Sequence, residues 1–291
     1  MTTAAQWVAG ARPRTLGAAV APVLVGTAAA YADVDRVIWW RAGAALVVAL
    51  GLQVGVNYAN DYSDGVRGTD DVRAGPLRLT AARVATPGAV RTAAIAAFGV
   101  AAVVGLALAV TVDLRLLAVG AVAIAAGALY TGGPRPYGYS GFGELAVLVF
   151  FGLVATAGST YVQAKQVSAA TWWGAIAVGL LACAILLANN IRDIDTDAAV
   201  GKRTLAVRLG TPWARSLYGA CLGVAFGIVV AVAVFSSGWA LLAFLALPLA
   251  ARPFWLVVTH DDPPSLVAAL VGTARLELVF AGLLALGLAL S

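Results

Sequence analysis

The chain has 291 residues, of which 62% are hydrophobic and only 11% are charged, with a net charge of +5. Soluble domains usually carry about 25% charged residues, so this composition excludes an ordinary soluble enzyme, a disordered tail and a nucleic-acid-binding surface. A chain this apolar uses lipid as its solvent. We therefore interpret residues 1–291 as one all-α, polytopic transmembrane domain.

Nine apolar stretches are long enough to cross about 30 Å of hydrocarbon as helices. The third and fourth are separated only by a short break at Asp113. Because no long hydrophilic segment remains between the stretches, the sequence predicts a nine-helix bundle with short connections. The predicted spans are 14–32, 38–59, 91–111, 115–131, 143–163, 171–190, 213–235, 239–258 and 266–289.

The basic residues predict the orientation in the cell membrane. Fifteen of the 19 Lys and Arg residues lie in the N-terminal segment or in connections after even-numbered spans. This bias indicates that those segments are cytoplasmic and that Ser291 lies outside. Topogenesis and contact with anionic membrane lipid explain the net positive charge. We therefore predict no nucleic-acid partner.

Acidic residues are concentrated in two short windows, after the second and sixth predicted spans. Each window begins at the end of an apolar helix, where an unpaired carboxylate is costly, so compensating cations are expected there. Both windows are cytoplasmic by the charge bias. Together they hold seven of the 14 acidic residues, namely Asp61, Asp64, Asp70, Asp71, Asp193, Asp195 and Asp197.

Both windows contain an asparagine followed by two aspartates at helical spacing. Residues separated by four, seven or eight positions share one helix face, whereas Asp195 would point the other way. A pattern that occurs twice suggests an internal duplication. The two sets are Asn57, Asp61 and Asp64, and Asn189, Asp193 and Asp197.

Facing carboxylate pairs are typical of Mg²⁺ sites in which water and substrate phosphate oxygens complete the coordination. We predict Asp61, Asp64, Asp193 and Asp197 as metal ligands around a diphosphate. Solvated loop charges are the alternative, and it stays open for Asp70, Asp71 and Arg83. The basic residues expected to neutralise phosphate charge are Arg67, Arg73, Arg78, Arg192, Lys202 and Arg203.

Two runs resemble the aspartate-rich motifs of the UbiA intramembrane aromatic prenyltransferases, which have nine helices and both motifs on the cytoplasmic side. Many members carry a third aspartate where this chain has Gly68, with its acids displaced to Asp70 and Asp71. The displaced form is similar to the branch that prenylates 1,4-dihydroxy-2-naphthoate. The resembling segments are 57–70, which includes Asn60, 189–206, which includes Asn190, 12–16, 21–27, 75–80 and 132–145.

The resemblance implies a reaction. The four aspartates would bind Mg²⁺ on a polyprenyl diphosphate, and Lys202 with nearby arginines would hold the departing diphosphate. The naphthoate would then attack the allylic cation and lose carbon dioxide, giving demethylmenaquinol. Arg14 or Arg67 would orient its carboxylate. Tyrosines that could shelter the cation, or simply anchor the protein at the interface, are Tyr130, Tyr137, Tyr139 and Tyr161.

Three alternatives remain at this point. One is a prenyltransferase of the same family with another aromatic acceptor. Another is a CDP-alcohol phosphatidyltransferase, because Asp61-x-x-Asp64-Gly65 matches the start of that motif, although Gly68 and Thr69 stand where it requires Ala-Arg. The third is a transporter, which would place ionisable groups near the membrane midplane. The one acid well inside a predicted span is Glu277, which we interpret as an ion pair with Arg275.

Overall fold

The computed structural model describes residues 2–69 and 77–291, and this part of the chain is helical without a β-strand. The predicted residues Asp70, Asp71 and Arg73 lie outside it. The helices are α1 (Ala4–Gly10), α2 (Gly17–Val34), α3 (Trp39–Arg67), α4 (Pro87–Thr111), α5 (Leu116–Leu129), α6 (Gly143–Ala164, with a π-helical stretch at Leu148–Val154), α7 (Ala169–Arg192), α8 (Ile194–Ala199), α9 (Leu205–Leu209), α10 (Thr211–Phe235), a 3-10 helix (Gly238–Ala246), α11 (Pro248–Thr259) and α12 (Pro263–Ala289).

The all-α membrane fold is confirmed, because each of the nine predicted stretches is helical. Seven described helices are long and apolar enough to cross a membrane. The 3-10 helix and α11 give an eighth span if they are counted as one segment, which is bent by 46°. The bend lies where Pro248, which has no backbone N–H, starts a new helix. Helix α5 has 14 residues and is about 21 Å long, so it is shorter than the hydrocarbon layer.

The main core surrounds α7, which packs against α2, α6, α10 and α12. Small residues allow these helices to approach closely. A Cβ atom on Gly179 of α7 would lie 2.9 Å from the Cα of Gly152 in α6, and one on Gly26 of α2 would lie 2.3 Å from the carbonyl oxygen of Thr156. These glycines are therefore required by backbone contact between helices.

The N-terminal segment is held against the C-terminal half of α3. The Tyr58 hydroxyl donates to the carbonyl oxygen of Trp7 at 2.7 Å, and the side-chain amides of Asn57 and Gln53 donate to the carbonyl oxygens of Ala11 and Thr15. These bonds satisfy polar side chains that would otherwise be buried in an apolar helix. They also place the Arg12–Arg14 segment beside α3.

Two expectations about acidic residues are corrected by the fold. The first aspartate window begins inside α3, which continues to Arg67 and ends at Gly68 in the left-handed conformation with φ 72°. The predicted Glu277–Arg275 ion pair is wrong. Glu277 is fully buried and Arg275 is exposed, and no ion pair joins them in the described structure, since residues two apart on a helix do not face each other.

Candidate active site

A cavity of about 650 Å³ lies between α2, α3, α5, α6 and α7 and borders the main core, because Ala18, Ile185 and Leu270 belong to both. Along α3 its lining extends from Asp64 to Ala45, a distance of about 28 Å. One end is polar and the rest is apolar, which suits a ligand with a charged head and a hydrocarbon tail. The polar or charged residues at that end are Arg12, Arg14, Asn57, Asn60, Asp64, Arg78, Tyr130, Asn189, Asn190, Arg192 and Lys202.

Tyr139 connects the two aspartate-rich segments. Its hydroxyl donates to Asp64 Oδ1 at 2.5 Å, and its carbonyl oxygen accepts from the backbone N–H of Arg203 at 2.9 Å. Its ring lies between the Arg67 guanidinium, 5.5 Å from the ring centroid, and the Lys202 Nζ, at 5.3 Å. Burial, with a smaller effect of the Asp64 charge, raises the pKa of Tyr139 to about 12. The phenol therefore stays neutral and donates to Asp64.

In the second segment the carboxylates are paired with cations. Arg192 donates from Nε to Asp193 Oδ1 at 2.8 Å and from Nη2 to Oδ2 at 2.7 Å, and Nη2 also reaches Asn189 Oδ1 at 3.0 Å. Gly201, with φ 74°, turns the chain back so that the Lys202 Nζ lies 3.3 Å from Asp197 Oδ1. Both carboxylates are buried, and the cations compensate the cost of their burial.

Asp61 contacts backbone rather than the cavity. Its Oδ2 accepts from the N–H of Leu79 at 2.7 Å, and its Oδ1 accepts from the N–H of Thr80 at 2.9 Å. Of the four aspartates predicted as metal ligands, Asp64 lines the cavity, whereas Asp61, Asp193 and Asp197 lie behind its wall. The role of these residues as metal ligands stays a prediction.

Several predicted substrate-binding residues contact protein groups instead of facing the cavity. The Arg67 guanidinium donates to the carbonyl oxygens of Thr131 and Gly133 and to Ser63 Oγ. Arg203 is exposed and is absent from the lining. Asn60, in contrast, lines the cavity and accepts from Thr131 Oγ1 at 2.7 Å. The 131–142 connection thus fixes the C-terminal end of α3.

The arginines and tyrosines near the cavity separate into distinct groups. Arg14 and Arg78 line the polar end as predicted, and so does Arg12, which sequence reasoning missed even though it belongs to the same Arg-Pro-Arg run. Tyr130 and Tyr137 both line the cavity, with their ring centroids 5.4 Å apart in an edge-to-face contact. Tyr161 donates to Asp113 between α4 and α5.

The polar end offers the carboxylate oxygen ligands that Mg²⁺ prefers. The described residues contain no cluster of three or more His, Cys, Asp or Glu side chains arranged as a metal cage. Mg²⁺ does not require one, because it keeps several waters and is usually bound by one or two carboxylates together with substrate phosphates. Asp64, buried in the cavity lining that also includes Lys202 and Arg78, supplies such a carboxylate.

The family model of the UbiA prenyltransferase family matches residues 19–278. The chain belongs to this family. The 1,4-dihydroxy-2-naphthoate octaprenyltransferase of Mycobacterium tuberculosis is 50% identical over 97% of this chain and 96% of its own length. The protein of the same name from Escherichia coli is 40% identical over 98% and 95%.

A solved structure supports the same fold. The UbiA homolog from Archaeoglobus fulgidus, bound to DMAPP and Mg²⁺, superposes with a TM-score of 0.68 at 13% sequence identity, covering 96% of this chain and 99% of that one. The chain is therefore a multi-pass membrane protein with the architecture of these prenyltransferases.

Proposed function

We propose that the chain transfers a polyprenyl group from a polyprenyl diphosphate to 1,4-dihydroxy-2-naphthoate, with loss of diphosphate and carbon dioxide, to give demethylmenaquinol. Residues 1–291 act as one transmembrane prenyltransferase domain. The observation that carries the proposal is one amphipathic cavity whose polar end is lined by Asp64 of one motif and Lys202 of the other. The full-length relatives with this activity in their names support the choice of acceptor.

The polar end binds the diphosphate. Asp64 would be the principal Mg²⁺ ligand, assisted by Asp61, Asp193 and Asp197, and bound Mg²⁺ would withdraw electrons from the bridging oxygen. Lys202, Arg78 and Arg192 bind phosphate oxygens and stabilise the charge that develops as the allylic C–O bond breaks. The bond's electron pair leaves with the diphosphate.

The walls of the cavity protect the allylic cation from water. Apolar residues of α3, α5 and α6 line the tail region, and Tyr130 places an aromatic ring at the border between the polar and apolar parts. An aromatic face attracts a nearby cation. We assign Tyr130 to this role, because Tyr139 and Tyr161 use their hydroxyls on Asp64 and Asp113.

The acceptor attacks within the same cavity. A ring carbon of the naphthoate forms the new C–C bond, and the electron pair of the ring–carboxyl bond returns to the ring as carbon dioxide leaves. Arg14 and Arg12, on the N-terminal segment at the polar end, would bind the carboxylate through their guanidinium groups. Arg67 is assigned to holding the 131–142 connection, since its donors already contact carbonyl oxygens there.

The site faces the cytoplasm in this proposal. The cytoplasmic end of α3 and the end of α7 meet at the polar end of the cavity, and the basic residues of the adjoining segments follow the positive-inside rule. The N-terminus and both motifs lie on the cytoplasmic side of the cell membrane, and the C-terminus lies on the outer side. A cysteine-labelling experiment on intact cells at residues 195 and 291 tests this orientation, because only Ser291→Cys should react with an impermeant maleimide.

Turnover by the purified full chain in lipid nanodiscs tests the activity. With Mg²⁺, labelled farnesyl diphosphate and 1,4-dihydroxy-2-naphthoate, we expect a labelled naphthoquinol and one carbon dioxide per product. Transfer to another aromatic acid, but not to the naphthoate, would contradict the acceptor. Labelled phospholipid formed from CDP-diacylglycerol would instead support a phosphatidyltransferase, and the absence of any transfer would reopen the transporter alternative.

A further inference from the structure

A buried carboxylate outside the aspartate-rich motifs contacts the cavity wall. Glu144, in the first turn of α6, is 7% exposed, and its Oε1 accepts from Asn190 Nδ2 at 2.9 Å. The Cys183 Sγ donates to the Glu144 carbonyl oxygen at 3.1 Å. The second carboxylate oxygen of Glu144 is buried without a hydrogen-bond partner among residues 2–69 and 77–291. Such an oxygen costs stability, so packing alone does not explain an acid here.

Glu144 determines which way the Asn190 amide faces. A carboxylate accepts hydrogen bonds and donates none, so Asn190 must turn its NH₂ group toward Glu144. The other atom of the amide, Oδ1, is then left for the cavity, which Asn190 lines. Without the carboxylate, the amide could rotate and present a donor to the cavity instead.

Because Asn190 Oδ1 is a hydrogen-bond acceptor, it can bind only substrate groups that donate a hydrogen bond. Diphosphate oxygens are acceptors too and do not hydrogen-bond to Oδ1. The ring hydroxyls of a dihydroxynaphthoate are donors. Asn190 lies one helical turn before Asp193. Gly143, the residue before Glu144, lies close to Tyr130, because a Cβ atom on it would be 3.0 Å from the Tyr130 hydroxyl. Glu144 and Asn190 are therefore beside the residue that we assign to the allylic cation.

We infer that Glu144 is a positioning residue that holds Asn190 Oδ1 as the acceptor for a ring hydroxyl of the aromatic substrate. This inference rests on the proposed function. The hydroxyl donates to Oδ1, which orients the ring and increases its electron density for attack on the allylic carbon. The polar end then has two parts, with diphosphate near Asp64 and Lys202 and the hydroxyl at Asn190.

Substrate preference tests the inference in a way that stability does not. Wild-type enzyme and Glu144→Leu would be assayed with 1,4-dihydroxy-2-naphthoate and with the two monohydroxy-2-naphthoates. A site built to bind a hydroxyl discriminates against an analogue that lacks it. Wild type should prefer the dihydroxy acid over the monohydroxy acid that lacks the bound hydroxyl, as measured by the ratio of their kcat/KM values. In Glu144→Leu we expect this ratio to fall about 10-fold or more, with KM for farnesyl diphosphate unchanged.

Two further variants separate positioning from packing. Glu144→Gln keeps an acceptor oxygen for Asn190 and should retain most of the preference. Cys183→Ala removes the neighbouring contact to the Glu144 backbone and should leave the ratio at the wild-type value. Replacing a buried charge with leucine preserves volume, and such changes are often tolerated; thermal unfolding in detergent would confirm that the variant folds.

Either of two results would overturn the inference. If Glu144→Leu lowers kcat/KM for all three acids equally, Glu144 is structural. If instead the KM for farnesyl diphosphate rises while the acceptor ratio is kept, Asn190 serves the diphosphate. A wild-type enzyme that transfers to no naphthoate would refute the proposed function itself, and that result is distinct from both of these.

Discussion

The two aspartate-rich segments have the same pattern in sequence but compensate their carboxylates differently. At the end of α3, Asp61 accepts from backbone N–H groups and Asp64 accepts from a phenol. After α7, Asp193 and Asp197 are paired with Arg192 and a lysine ammonium. In the described structure, the first segment thus uses neutral donors and the second uses cations.

We propose that this difference gives the two segments separate tasks. Neutral donors hold a carboxylate in place but leave its negative charge available, which favours a divalent metal at Asp64. Cations beside carboxylates favour phosphate, because Lys202 and Arg192 also line the cavity. In our proposal the two segments are therefore unequal: the first contributes mainly the metal-binding carboxylate of Asp64, and the second adds phosphate-binding cations to its carboxylates.

Asp64→Asn should have the largest effect. It keeps the shape of the side chain but removes the charge that we assign to Mg²⁺, so kcat should fall roughly 1,000-fold while the protein still folds. Steady-state turnover over a Mg²⁺ titration measures this. The control is Asp195→Asn, because Asp195 is exposed in the second segment; comparable losses in both variants would contradict the assignment.

Lys202→Met should have the next largest effect. Loss of the ammonium removes a phosphate contact and leaves Asp197 without its 3.3 Å partner, so we expect kcat to fall roughly 100-fold. The neighbouring Arg203→Met serves as control, since its side chain is exposed and outside the cavity. Equal turnover in the two variants would argue against a phosphate-binding role for Lys202.

Tyr139→Phe should reduce turnover about 10-fold, the effect of one hydrogen bond to a charged group. Because the pKa of Tyr139 is raised to about 12, the phenol stays protonated as pH rises from 7 to 10. The ratio of wild-type to variant kcat should therefore be constant over that range. A ratio that declines from pH 9 to 10 would show that the phenol ionises earlier. Tyr161→Phe, remote from Asp64, is the matched control.

Asp61→Asn should have the smallest effect of the four on turnover, and its main consequence should be on stability. An amide presents one acceptor oxygen to the N–H groups of Leu79 and Thr80, so one of them loses its partner at a cost of about 1–3 kcal/mol. Thermal unfolding in detergent measures the loss. An unchanged unfolding temperature together with abolished turnover would make Asp61 a metal ligand of the same rank as Asp64.

Hydropathy was sufficient to predict where the helices lie, because lipid exposure requires long apolar stretches. It ended the second span at residue 59, although α3 continues to Arg67. The polar residues there remain helical because the N-terminal segment and the 131–142 connection satisfy them. Such partners are far away in sequence, so a hydropathy profile cannot reveal them.

The site was predictable where residue type determines chemistry and not where tertiary contacts redirect a side chain. Asp64 and Asn189, selected by spacing, and Lys202, selected by its charge, line one cavity. Spacing gave no indication that Asp61 turns to backbone or that Arg67 is occupied by carbonyl oxygens. The bridging position of Tyr139 depends on a contact across 75 residues, for which the sequence contains no signal.

A double-mutant cycle on ligand binding tests the central claim, that both segments act on one diphosphate. The affinity of an unreactive farnesyl thiodiphosphate, with saturating Mg²⁺, would be measured for wild type, Asp64→Asn, Lys202→Met and the double variant. Groups that share one ligand couple, so the double variant should lose less binding free energy than the two single losses combined. Strictly additive losses would contradict the claim, because they would place Asp64 and Lys202 at independent sites.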